Sequence, residues 1–157
     1  MKTRNSVILV LFLLLSVLIT AFVFGNSMKN SAASNADSDS FIALFEPLLE
    51  RLTWISDSDY SKVIRKTAHF VEFFALGFFY GGVMCLLIPK KGNLRFPAVL
   101  FVVLLAAVTD EYIQSFTDRT SSVRDVLLDF SGALVGAVAV FWLFWQIRRV
   151  REKKCTK

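Results

Sequence analysis

An all-α, polytopic membrane protein with a bundle of four spanning helices is the fold class this sequence predicts, on three observations. Hydrophobic residues make up 55% and aromatic residues 14% of its 157 residues, above the roughly 45–50% apolar content of soluble domains. They gather into blocks at about 7–25, 68–88, 96–115 and 126–147, each close to the ~20 residues that cross a hydrocarbon core as a helix. Cations collect just outside alternate ends of these blocks, as they do around membrane spans. A helix satisfies its own backbone in lipid, so one bundle, residues 1–157, is expected. The net charge of +5 does not indicate nucleic acid, because the positive residues sit at the ends of the apolar runs.

Lys2 and Arg4 precede the first block. The same pattern opens a secretory signal peptide, but this apolar run exceeds the ~7–15 residues of a signal core, so a retained helix is expected. Lys90, Lys91 and Arg95 occupy the link between the second and third blocks, and Arg148, Arg149, Arg151, Lys153, Lys154 and Lys157 follow the fourth. Placing these segments in the cytoplasm puts both termini inside, with a basic tail at 148–157, and leaves two loops outside. Cys85 and Cys155 then lie on the reducing side and are given no chemistry.

The first outward loop opens with the Ser- and Asn-rich run NSMKNSAASNADSDS, which reads as flexible. It continues with Phe41, Leu44, Phe45, Leu48, Leu52 and Ile55 at spacings of three and four, the pattern of an amphipathic helix. That helix, about 41–55, is too short to span; it is expected on the outer membrane surface, with a kink or a late start at Pro47 and Trp54 at headgroup depth.

The second block is introduced by Lys66, His69 and Glu72, three ionisable groups one turn apart. The third ends in Asp110, Glu111 and Gln114, which cover an arc of about 100° and can face one cavity. A turn with Asp118, Arg119, Arg124 and Asp125 follows, with Ser121 or Ser122 as cap for the fourth helix. Asp125 suits the helix dipole in that first turn, an explanation that does not reach Asp129 one turn deeper. Below Asp129 the same stripe carries Gly132 and Gly136, a GxxxG spacing that lets a second helix approach closely. Three helices thus bring their ionisable groups to one end of the bundle, the end that the basic residues place outside. Charges in apolar spans are costly and mark functional sites.

The segments K-x-x-H-F-x-E-F at Lys66, D-E-x-x-Q-x-F at Asp110 with Arg119 beyond it, and D-x-x-x-D-x-x-G-x-x-x-G at Asp125 resemble the VanZ-like family of small bacterial membrane proteins. The first helix ends in FVFGNS, similar to another segment of that family, and the resemblance runs over about 24–138. Its polar positions fall on Lys66, His69, Glu72, Asp110, Glu111, Gln114, Arg119 and Asp125. This chain has Thr117-Asp118 where the family usually has Pro-Gly, and Asp129 where it usually has Asn. The resemblance implies a bacterial cytoplasmic membrane protein associated with resistance to the lipoglycopeptide teicoplanin; it names no reaction.

Two functions are therefore expected to compete. In one, Lys66, Glu111, Gln114, Arg119, Arg124, Asp125 and Asp129 bind an envelope lipid headgroup, a wall precursor or the antibiotic itself. In the other, a membrane-embedded hydrolase or transferase uses His69 as general base, with Glu72 or Asp110 orienting it and Arg119 stabilising phosphate charge. A zinc or magnesium ion on His69, Glu72, Asp110 and Asp125 is a further alternative. One histidine among scattered acids is a poor zinc pattern, and no metal or cofactor is assigned. A transporter ranks last, because the inner halves of the first, third and fourth blocks carry no acids.

Overall fold

The structure, a computed structural model, describes residues 2–29, 57–87, 94–117 and 121–155. Its helices are α1 (Lys2–Ser27), α2 (Asp57–Leu87), α3 (Arg95–Gln114) and α4 (Val123–Cys155). Each contains a stretch long and apolar enough to cross a membrane: Ser6–Ser27, Val63–Leu87, Arg95–Gln114 and Val123–Lys153. Large apolar side chains on all four point outward, among them Leu14, Val71, Phe101 and Leu127. In water such a surface would be untenable; in lipid it is the expected one. The amphipathic helix expected at 41–55 lies outside the described residues, as do Lys90, Lys91, Asp118 and Arg119.

Three helices overrun their predicted limits: α1 runs Lys2–Ser27, and α2 and α4 extend furthest. α2 starts at Asp57, about three turns before the apolar block, and α4 carries the basic residues through Cys155 as helix. Arg, Lys and Glu are good helix formers, and no Gly or Pro interrupts either extension, so both helices continue past the apolar region. α3 accommodates Pro97 because it falls in the first turn, where a missing N–H breaks no helical bond.

The most extensive interface joins α2 and α4, and glycine makes it. A Cβ on Gly132 would meet the Phe70 carbonyl, one on Gly136 the Phe74 carbonyl, and one on Gly77 the Ala133 backbone. The GxxxG stripe of α4 is thus spent within the chain, against a second pair, Gly77 and Gly81, on α2. The core beside it is built from Val23, Phe73, Leu76, Val99, Val103, Ala107, Ala133 and Ala137, all fully buried. On α3 one buried stripe runs Val99, Val103, Ala107 and then changes character, ending in Asp110, Glu111 and Gln114. α1 is peripheral, with only 11% of its apolar window buried.

Candidate functional site

The up-and-down order brings the C-terminal ends of α1 and α3 beside the N-terminal halves of α2 and α4, and the ionisable groups meet there. His69 on α2 is central. Its Nδ1 lies 4.0 Å from Glu72 Oε2, 3.9 Å from Asp110 Oδ2 on α3 and 4.0 Å from Asp129 Oδ1 on α4. These separations are too long for hydrogen bonds. The Asp110 and Asp129 side chains are 0% and 1% exposed, those of His69 and Glu72 each 14%. One ligand atom from each of His69, Asp110 and Asp129 lies within 4.8 Å of the other two. Two ionised carboxylates at about that distance repel by roughly 3–4 kcal/mol at an effective dielectric near 20.

The carboxylates are held in place from behind. Gln114 Nε2 donates to Asp110 Oδ2 at 2.6 Å, and the Ser27 hydroxyl donates to Asp110 Oδ1. Asn26 Nδ2 donates to Glu72 Oε1 at 2.9 Å, which leaves Oε2 turned toward His69. Asp129 is different: its Oδ2 is buried and finds no hydrogen-bond partner among the described residues.

Sequence reasoning did not single out Asn26 and Ser27 for this role. The available signal was the polar pair closing FVFGNS at the end of an apolar run. Gly77 and Gly81 were also passed over, although their spacing repeats that of Gly132 and Gly136.

The other expected site residues divide into rim and frame. Lys66 Nζ pairs with Asp125 Oδ1 at 2.7 Å, one turn nearer the helix ends than the His69 cluster. The four-residue set of His69, Glu72, Asp110 and Asp125 therefore needs correction: Asp129, not Asp125, completes the group around the imidazole, because α4 docks with Asp129 at the depth of His69. Glu111 is 4% exposed and its Oε2 accepts the Ser122 amide at 2.9 Å. Ser122 in turn caps α4, its Oγ accepting the Arg124 amide at 3.1 Å and its carbonyl the Asp125 amide at 3.0 Å. Glu111 thus ties α3 to the start of α4, and the Arg124 side chain faces outward. Arg119 lies outside the described residues.

Four apolar helices long enough to span, with a histidine and three carboxylates gathered at one end, define a polytopic helical membrane protein with a buried polar cluster. The chain matches the VanZ/LLP1 family model over residues 9–145, a stretch that holds every residue of this cluster, and it belongs to that family. No match was found among curated proteins or solved structures.

Proposed function

We propose that this VanZ-family protein sits in the bacterial cytoplasmic membrane with both termini inside. At its outward face it binds the polar head of an envelope amphiphile, a lipid or a lipid-linked wall precursor. The observation that supports this reading is the His69 cluster itself: an acid-rich polar group at one end of helices whose outward faces are apolar. An amphiphile matches both halves, its head meeting His69, Glu72 and Asp129, with Lys66 at the rim for phosphate, and its chains lying along the helices. Glycopeptide or lipoglycopeptide tolerance then follows from sequestering or presenting that molecule near the antibiotic's target.

The test uses the protein in nanodiscs of envelope lipid, with bound lipid read by native mass spectrometry and teicoplanin susceptibility scored in cells at matched membrane levels. Loss of both the bound lipid and the tolerance in His69→Ala and Lys66→Ala is the expected result. If both variants keep wild-type lipid binding and susceptibility, the reading is wrong.

A second reading is favoured by the same 3.9 and 4.0 Å separations. An imidazole beside Glu72 and Asp110 has the partners of a general base. Turnover of a headgroup phosphate ester by the purified protein, abolished in His69→Ala, would establish it in place of simple binding.

A further inference from the structure

One oxygen of the Asp129 carboxylate lacks the partner that its burial demands. Asp129 is 1% exposed, its Oδ2 has no hydrogen-bond partner among the described residues, and His69 Nδ1 lies 4.0 Å from its Oδ1. A buried carboxylate oxygen without a donor is costly in a fold. A carboxylic acid there would still need an acceptor for its proton. A cation needs none, and the neighbouring atoms have the chemistry and spacing to hold one. His69, Asp110 and Asp129 each offer a ligand atom within 4.8 Å of the others. Two ligands of one ion at bond lengths of about 2.0–2.3 Å lie roughly 3–4.6 Å apart, and the His69 separations of 3.9–4.0 Å fall inside that range.

We propose that His69, Asp110 and Asp129, with Glu72 as fourth donor, hold one divalent cation of the first transition row, Mn2+ or Zn2+. One imidazole among carboxylates suits these ions better than Mg2+ or Ca2+, which take oxygen almost alone. The residues behind the donors support the assignment. Ser27 and Gln114 fix Asp110, and Asn26 fixes Glu72 so that Oε2 faces the imidazole, the arrangement that orients metal ligands. The partial exposure of His69 and Glu72 gives an ion its way in. The inference is independent of the headgroup reading, since an ion is held whether or not a lipid follows it.

The test is made on full-length protein purified without a histidine tag, stripped with chelator and titrated with MnCl2 in detergent. Loss of the free-Mn2+ electron paramagnetic resonance signal counts bound ions, and added Zn2+ competes. One ion per chain is expected. His69 is the chain's single histidine, so nitrogen coupling in the pulsed spectrum of bound Mn2+ identifies it with no variant needed. Asp129→Asn should weaken binding by at least about 100-fold and Asn26→Ala by about 10–100-fold, while Tyr112→Phe leaves it unchanged. Neither ion bound above a protein-free control, or bound Mn2+ without nitrogen coupling, overturns the proposal. So does full affinity in a folded Asp129→Asn variant. If that variant does not fold, the pulsed measurement on the wild type decides. An ion without bound lipid, or lipid without an ion, separates this inference from the proposed function.

Discussion

An alanine at Gly136 would place its methyl group against the carbonyl oxygen of Phe74. That oxygen belongs to the backbone of α2 and has no rotamer to escape into, so α2 and α4 must move apart. Overpacking of this kind costs about 1–3 kcal/mol, and the better helix propensity of alanine returns about 0.5–1 kcal/mol. The net expectation is a destabilisation of up to about 2.5 kcal/mol. Gly25 provides the contrast, because a Cβ there meets nothing within 4 Å. Gly25→Ala should therefore be neutral or stabilising by up to about 0.5–1 kcal/mol. Thermal unfolding in detergent, followed by circular dichroism, reads the difference at about 2–4 °C per kcal/mol for a chain of this size. The displaced helix also carries Asp129 away from His69, so ligand or ion affinity should fall in Gly136→Ala and hold in Gly25→Ala. If Gly136→Ala is as stable as the wild type, the close backbone contact is not what joins these helices.

Four further outcomes are expected. Ser122→Ala removes the cap of α4 and should cost about 0.5–2 kcal/mol, with Ser122→Gly milder, as read by thermal unfolding. Gln114→Leu deprives buried Asp110 Oδ2 of its donor and should cost about 1–3 kcal/mol; a neutral result would show that another donor takes over. A double-mutant cycle on Lys66 and Asp125, whose side chains are 53% and 27% exposed, should give a coupling of only about 0.2–1 kcal/mol that fades with salt. Ser121→Cys should react with an impermeant thiol reagent in intact cells and Cys155 only after permeabilisation; the reverse order would invert the topology.

The helices were legible in the sequence because an apolar run of about 20 residues has one stable solution in lipid. Their ends were not, since α2 and α4 need no apolar residues to continue beyond the membrane, only freedom from helix breakers. The acids stood out because each is improbable inside an apolar run. Which of them meet was harder. Asp125 and Asp129 share a stripe one turn apart, and only the depth at which α4 packs on α2 decides that Asp129 reaches His69 while Asp125 goes to Lys66. The use of Glu111 by the Ser122 amide depends on the path of the intervening turn, which spacing does not encode. Asn26 and Ser27 look like ordinary residues at a helix end until Glu72 and Asp110 are seen beside them.

The first helix is fastened to its neighbours in an uneven way. Along most of its length it faces outward, with Val23 the one fully buried large side chain among its described residues. At the tip, Asn26 and Ser27 grip Glu72 and Asp110. The clasp at the tip of α1 is thus made on Glu72 Oε1 and Asp110 Oδ1, the other oxygens of the two carboxylates whose Oε2 and Oδ2 face His69. Thermodynamic reciprocity then requires that whatever strengthens or weakens those two carboxylates as acceptors also tightens or loosens the helix. The charge balance of the cluster and the docking of α1 are thus coupled.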